Sequence, residues 1–189
     1  CDKLLYALRD QTATVDSIPL IASSIMSKKI ASGADCIVLD VKVGKGAFMK
    51  TQEEAEKLAS LMCSIGENIG RKTVALTSDM NEPLGNAIGN SLEVIEAIDT
   101  LKGKGPSDLI NVVIELSANM VSLSLDISYE KAEKMCKNSL ENGLALKKFE
   151  EMIINQGGDS SVISDYSLFK QAKTVYEYKS PCSGIIGSI

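Results

Sequence analysis

Histidine is missing from all 189 residues of the chain. It is the usual general base beside a catalytic serine or cysteine, and it is the commonest transition-metal ligand. Without it, neither a Ser-His-Asp nor a Cys-His nucleophile system can be built. This argues against a protease or a lipase.

Runs of one charge sign and long apolar runs are also absent. Acidic and basic residues are interleaved and the net charge is −5, so the chain lacks the basic surface of a nucleic-acid-binding protein. Its uninterrupted apolar stretches, such as residues 36–39 and 112–114, are far shorter than a membrane span. We therefore expect a soluble protein that binds neither nucleic acid nor membranes.

Cysteine is scattered. The five cysteines are odd in number and include no Cys-x-x-Cys pair, so neither a disulfide framework nor a zinc cluster is indicated. A reducing, cytoplasmic location fits this pattern.

Two short apolar runs with a helical segment between them predict an α/β fold. Residues 35–41 and 73–77 are rich in branched side chains and suit strands buried on both faces of a parallel sheet. Residues 51–69 predict a helix capped by Thr51 and ended by Gly70. Strand, helix and strand form a βαβ unit, so we expect a partly parallel sheet with flanking helices.

Helical patterns cover most of the remaining chain. One helix is predicted over residues 16–31, and four more follow the second strand at 87–101, 107–122, 129–138 and 144–156. Residues 156–161 predict a loop, and extended segments are expected beyond it. The chain opens on Cys1 without an initiator methionine, and residues 183–189 resemble a strand just begun, so we expect an interior fragment of a longer protein.

Three polar residues near the N-terminus form a candidate binding set. Ser24 and Lys28 stand four apart on the predicted helix, so they project from nearly the same side. Arg9 adds a guanidinium whose forked donors suit a planar partner with carbonyl or carboxylate oxygens. The glycine-rich residues 44–46 follow the first strand, where parallel sheets bind ligands, but they lack a full phosphate-loop pattern and predict a tight turn.

Three long stretches give the sequence a specific resemblance. They are Tyr6-Ala-Leu-Arg-Asp continuing to Ile30, Val38-Leu-Asp-Val-Lys-Val-Gly-Lys-Gly-Ala-Phe-Met-Lys50, and Pro83-Leu-Gly-Asn-Ala-Ile-Gly-Asn-Ser-Leu-Glu-Val-Ile-Glu-Ala97. These closely resemble consecutive segments of pyrimidine nucleoside phosphorylases, a family that includes thymidine phosphorylase. The similarity runs through nearly the whole chain.

The resemblance implies a pentosyltransferase that carries out phosphorolysis. Phosphate would displace the base from thymidine, uridine or deoxyuridine, giving the free base and a (deoxy)ribose 1-phosphate. In the family, an arginine, a serine and a lysine of these motifs bind the base, and they correspond here to Arg9, Ser24 and Lys28, expected to be both substrate-binding and catalytic. Fixed cations beside a departing pyrimidine stabilise the charge that develops in the transition state.

Further residues of the site follow from the same resemblance. The base pocket would be lined by Tyr6, Val15, Ile21 and Phe48, although ordinary core packing explains such residues nearly as well. Some relatives hold a potassium ion by backbone carbonyls and one glutamate, which here would be Leu84, Ala87 and Glu96. Phosphate is the expected co-substrate, and no organic cofactor is expected.

The resemblance also implies a division into parts. Residues 1–33 would belong to the helical domain through which these enzymes form homodimers, 34–160 to the central α/β domain with its following helices, and 161–189 would lead into a truncated C-terminal domain. The family's phosphate-binding segments and a histidine near the reacting centre lie upstream of the motif at Tyr6. We therefore expect the chain alone to bind base weakly and to catalyse little or nothing.

Two other functions stay open from the sequence. One is a phosphoribosyltransferase of the anthranilate type, which shares the broad helical and α/β plan but does not need Arg9, Ser24 and Lys28 together. The other is a non-catalytic dimerisation or interaction module. Preference between uridine and thymidine depends on pocket shape, which the sequence does not define.

Overall fold

The computed structural model describes residues 2–184, and the predicted α/β architecture is confirmed within them. Described in chain order, its elements are α1 (Asp2–Gln11), α2 (Ile18–Ala31), β1 (Cys36–Val43), α3 (Gln52–Asn68), β2 (Lys72–Asp79), α4 (Asn90–Leu101), α5 (Ser107–Leu125), α6 (Tyr129–Glu141) and α7 (Leu144–Asn155). Two short 3-10 helices, Ser160–Ile163 and Tyr166–Leu168, follow α7. Most of the predicted terminal strand, residues 185–189, lies outside the described residues.

The two strands form the predicted parallel βαβ unit. They pair from Cys36 opposite Lys72 to Val43 opposite Asp79, and α3 connects them. Ile37, Leu39 and Val41 alternate along β1 and are buried on one face of the sheet. The connection brings the carboxyl ends of both strands to the same edge.

The prediction that both strands are buried on both faces is wrong: no residue of β2 is buried, and the second face of β1 carries the exposed Asp40. On the second face Asp40 pairs with Lys42 at 2.7 Å, and Ser78 donates a hydrogen bond of 2.5 Å to Asp40. These side chains keep part of their surface in solvent because charged groups lose more on burial than apolar groups gain.

The apolar core lies between the buried sheet face and helices α2 and α3. Ala22 and Met26 come from α2, while Ala55, Leu58 and Met62 come from α3. The predicted cap of α3 is confirmed as a capping box: the Thr51 hydroxyl accepts the Glu54 amide, and the Glu54 carboxylate accepts the Thr51 amide. These two reciprocal hydrogen bonds fix the start of α3 where it meets the core.

Several element boundaries differ from the prediction. Helix α1 was not predicted, and the 3-10 helices occupy a stretch predicted to be loop and extended chain. Helix α4 begins at Asn90 instead of residue 87, because the amides of residues 86, 87 and 89 donate to glutamate side chains and form a turn.

The chain divides into two compact units. One contains Cys1–Asn81 and Val112–Lys134, and the other contains Glu82–Asn111 and Met135–Ile189. Helices α5 and α6 each contribute residues to both units. The three-part division expected from the resemblance stays a prediction.

Helix α5 is long and apolar enough, by length and composition alone, to cross a membrane. Short uninterrupted apolar stretches had suggested that the chain has no such segment. In the structure Ile114 and Ala118 of this helix are buried, and the Glu115 carboxylate accepts a hydrogen bond of 2.5 Å from Tyr129. Only 11% of this apolar stretch is buried, and a single helix of this kind is weak evidence for a membrane span.

Candidate functional site

A cavity of about 340 Å³ lies beside Tyr6, between helices α1 and α2. The Tyr6 hydroxyl and the Ser24 hydroxyl share a hydrogen bond of 3.1 Å, which ties the two helices together at this point. The residues that line the cavity are Asp2, Leu5, Tyr6, Leu8, Arg9, Thr12, Thr14, Leu20, Ser23, Ser24 and Ser27. Of the three predicted base-binding residues, Arg9 and Ser24 therefore line the same cavity.

Arg9 is held by the turn between α1 and α2. Its side chain is buried, with the residue only 8% exposed. Its Nε donates to the Thr14 carbonyl at 3.4 Å, and its Nη2 donates to the Val15 carbonyl. A guanidinium has five N–H donors, so three are left for a ligand after these two bonds.

Lys28 is more exposed than Arg9 and is held by a carboxylate. Its ammonium forms an ion pair of 2.9 Å with Asp2. The hydrogen bond to Asp2 raises the pKa of Lys28 above its ordinary value, which favours the cationic form of the side chain. The prediction that Ser24 and Lys28 share one side of α2 agrees with the contacts both make around Tyr6.

Both cations stand over the Tyr6 ring. The guanidinium carbon of Arg9 lies 4.8 Å from the ring centroid, and the Lys28 ammonium lies 5.4 Å from it. The negative face of an aromatic ring attracts cations and offsets the repulsion between the two positive charges. The arrangement combines a flat ring, a hydroxyl and two positive charges, which suits a planar ligand that carries or develops negative charge on its oxygens.

The other predicted pocket residues lie elsewhere. Val15 contributes its backbone carbonyl to Arg9, and Ile21 is buried in the apolar core. Phe48 is 66% exposed and lines a different cavity of about 480 Å³ together with Asp16 and Ile18. The structure thus brings Arg9, Ser24 and Lys28 together around Tyr6. The predicted residues that do not line the Tyr6 cavity are Val15, Ile21, Lys28 and Phe48.

The residues at 44–46 form the tight turn that the sequence predicted. The Gly44 amide donates to the Met49 carbonyl at 3.0 Å, and φ is +131° at Gly44. The Lys50 ammonium donates to the carbonyls of Lys45 and Ala47, which closes the turn. The Lys45 amide donates to Asn81 Oδ1 at 3.1 Å and the Gly46 amide donates to the Met80 carbonyl at 3.0 Å, so both amides are bonded to residues that follow β2.

A second candidate site is the turn at residues 84–89, before α4. Glu96 Oε1 accepts the amides of Asn86 at 2.9 Å and Ala87 at 3.1 Å, and Asp108 accepts the amide of Gly85 at 2.9 Å. The structure therefore brings Glu96 to the loop that carries the predicted carbonyl ligands at Leu84 and Ala87. A Cβ built on Gly85 would overlap Glu96 Oε2, so the carboxylate occupies the space that glycine leaves open.

Two acidic residues of these sites were not predicted from the sequence. Asp2 is the ion-pair partner of Lys28, and its position four residues before Tyr6 on one helix face could have indicated this had α1 been predicted. Asp108 comes from another element than the turn it binds, so no local pattern marks it. Within residues 2–184 no group of three histidine, cysteine, aspartate or glutamate side chains is placed to hold a metal ion.

Comparison with known proteins gives a consistent family relationship. Residues 1–146 match a family model described as glycosyl transferase family, a/b domain. A protein named pyrimidine-nucleoside phosphorylase from Staphylococcus haemolyticus (strain JCSC1435) is 57% identical over 189 residues, which cover 100% of this chain and 44% of that protein. A protein of the same name from Staphylococcus aureus (strain USA300) is 58% identical over 186 residues, covering 98% of this chain and 43% of the relative. The resemblance drawn from the three motifs is confirmed, and the chain spans less than half the length of these relatives.

Proposed function

Because the chain belongs to the glycosyl transferase family with an a/b domain, we propose that its protein is a pentosyltransferase that carries out phosphorolysis of pyrimidine nucleosides. The substrates would be thymidine, uridine or deoxyuridine together with phosphate. The observation that carries the proposal is the cluster of Arg9, Ser24 and Lys28 around the Tyr6 ring. The names of the relatives support the same reaction class.

In this reaction a phosphate oxygen forms a bond to C1′ of the pentose while the bond from C1′ to the pyrimidine nitrogen breaks. The electron pair of the broken bond passes to the base, whose ring nitrogens and carbonyl oxygens become negatively charged. Arg9 and Lys28 would stabilise that charge, and they would do so more strongly in the transition state than in the neutral substrate. Ser24 would orient the ring by hydrogen bonding to its imide edge.

Arg9, Ser24 and Lys28 support binding of the base, and not binding of phosphate. The phosphate-binding glycine-, serine- and threonine-rich segments expected from the family do not correspond to residues 1–189. Positioning both reactants together supplies a large share of catalysis in a displacement. We therefore propose that residues 1–189 alone bind base weakly and turn over little or no substrate.

A potassium ion is the cofactor that fits the turn at residues 84–89. The Glu96 carboxylate and the carbonyls of Leu84 and Ala87 are all oxygen donors, which hard cations prefer. Glu96 Oε2 lies over Gly85, on the turn that carries both carbonyls. A bound cation would neutralise Glu96 and hold the turn in one conformation. Homodimer formation, a cytoplasmic location and the absence of nucleic-acid or membrane partners belong to the same proposal.

Calorimetric titration of the chain with thymine and uracil tests the base site. Lys28→Ala and Arg9→Ala should each weaken binding about tenfold to hundredfold, the cost of losing a hydrogen bond from a charged group. Lys29→Ala, one residue further along α2, is the matched control and should leave affinity unchanged. Equal loss in all three variants would contradict the assigned roles.

A phosphorolysis assay tests the complete reaction. The chain is extended at its N-terminus by the expected phosphate-binding region, and release of thymine from thymidine is measured with and without phosphate. We expect release only with phosphate, and its loss on Lys28→Ala. A folded, extended protein that neither binds base nor cleaves uridine or thymidine would instead favour the transferase or interaction-module alternatives.

A further inference from the structure

Two carboxylates from different helices hold the turn at residues 84–89. Glu96 of α4 accepts two consecutive amides, those of Asn86 and Ala87, and Asp108 of α5 accepts the amide of Gly85 at 2.9 Å. All of these residues belong to the same compact unit. The three amides in a row are thereby fixed by side chains that are themselves anchored on helices.

The charge of these carboxylates is not balanced by side chains. In the described part of the chain, neither Asp108 nor Glu96 forms an ion pair with a lysine or an arginine. The amide of Gly85, followed by that of Leu109, lowers the pKa of Asp108, so this group is ionised at neutral pH. The negative charge proposed as a ligand at this turn is that of Glu96, whose Oε1 accepts two amides, while Asp108 is bonded to the Gly85 amide.

Asp108 contacts the turn through the Gly85 amide. Its Oδ2 is engaged by the Gly85 amide, and no cluster of three acidic ligands exists within residues 2–184. Gly85 has φ of +73° and its missing Cβ makes room for Glu96. The Gly85 amide and the Leu84 carbonyl belong to one planar peptide, so the bond that fixes this amide also fixes the direction of the Leu84 carbonyl.

We propose that Asp108 is a positioning residue of the cation site: its hydrogen bond to the Gly85 amide orients the turn so that the carbonyls of Leu84 and Ala87 and the Glu96 carboxylate can hold one monovalent cation. This deepens the proposed function and rests on its potassium component. Asp108 acts through a hydrogen bond, as partners of metal ligands commonly do. Its effect should therefore depend on an acceptor oxygen and not on its charge.

Thermal unfolding of the full chain in increasing potassium chloride measures this without any activity assay. Ionic strength is held constant with tetramethylammonium chloride, and the potassium concentration giving half of the maximal stabilisation is compared among variants. Asp108→Ala should raise that concentration about tenfold or more, as for other residues that support metal ligands. Asp108→Asn keeps an acceptor oxygen and should stay within about threefold of the unsubstituted chain.

Two further variants separate positioning from ligation and from general damage. Glu96→Gln removes a ligand charge and should abolish most of the potassium response. Asp165→Ala removes an equivalent aspartate-to-amide bond, to Ser167 at 2.9 Å in the same unit, and should leave half-saturation unchanged.

Three results with the variants would overturn the role of Asp108. They are an unchanged half-saturation in Asp108→Ala, an equal defect in Asp108→Asn and Asp108→Ala, and an equal shift in Asp165→Ala. A chain without any potassium-specific stabilisation would overturn both Asp108 positioning and the cation site. The phosphorolysis assay tests the reaction itself separately.

Discussion

Arg9 and Lys28 approach the same ring but are held in different ways. Arg9 is buried and bonded to two backbone carbonyls, whereas Lys28 is exposed and paired with the Asp2 carboxylate. A planar guanidinium anchored by carbonyls is a fixed donor, while an ammonium on a four-carbon stem can adjust to a ligand. At the residue scale, one rigid and one adaptable cation therefore face the proposed base.

Among the residues of the turn before α4, Gly85 is the one whose replacement should lower the free energy of unfolding most. Gly85→Ala meets both a φ of +73° and the Glu96 carboxylate, whereas Gly103→Ala, at φ of +77°, meets no atom within 4 Å. Backbone strain should cost each variant about 1–2 kcal/mol. Overpacking should add about 1–3 kcal/mol for Gly85→Ala alone.

Urea unfolding followed by circular dichroism measures both free energies. In a Glu96→Ala background, the additional loss in Gly85→Ala should shrink, because the overlapping carboxylate is gone. Equal losses for Gly85→Ala and Gly103→Ala would show that Glu96 does not occupy the space over Gly85.

The sequence motifs predicted the polar residues that cluster around Tyr6, but they did not predict the apolar residues that line the cavity. Spacing on one helix was enough to place Ser24 and Lys28 on the same side. Ile21 is buried in the core and Phe48 lies in another cavity, because motif similarity transfers residue identity and not the packing around each side chain. Asp2 and Asp108 were missed because their partners depend on an unpredicted helix and on a tertiary contact.

At the scale of elements, prediction succeeded where local signals agreed. Strand β2, helix α7 and the capped helix α3 were found within about two residues, since apolar periodicity and end signals coincide there. Helix α1 was missed because its apolar residues Leu4, Leu5 and Leu8 are exposed and no proline or glycine marks its ends. The start of α4 was misplaced because the side chains of Glu96 and Glu93, on α4 itself, accept the amides of the preceding residues and hold them in a turn.

The capping box of α3 gives a prediction at this scale. Thr51→Ala removes the acceptor for the Glu54 amide and should lower the free energy of unfolding by about 1 kcal/mol. Thr51→Ser keeps the hydroxyl and should lie close to the unsubstituted chain. Urea unfolding of both variants decides the matter, and equal stability of the alanine and serine variants would mean that the cap contributes nothing.

At the scale of the whole molecule, the division into two units suggests that a substitution in one unit destabilises that unit and leaves the other unchanged. The 3-10 segment after α7 is attached to α4 by Tyr166, whose hydroxyl donates to Asp99 at 2.6 Å and accepts from Lys102 at 3.0 Å. Lys102 also lies 4.7 Å from the Tyr166 ring centroid. All three residues belong to the unit that contains α4 and α7, not to the one that contains the sheet.

Tyr166→Phe should therefore loosen one unit only. Loss of the hydroxyl removes both hydrogen bonds and leaves the ring, so hydrogen exchange measured by mass spectrometry should rise in residues 160–171 and at the C-terminal end of α4. Exchange in β1 and β2 should not change. Tyr176→Phe is the matched control, because Tyr176 is 84% exposed and its hydroxyl forms no bond in the described structure. If Tyr166→Phe instead raised exchange equally in the strands, the two units would open together, and the division by contacts would not correspond to separate units of stability.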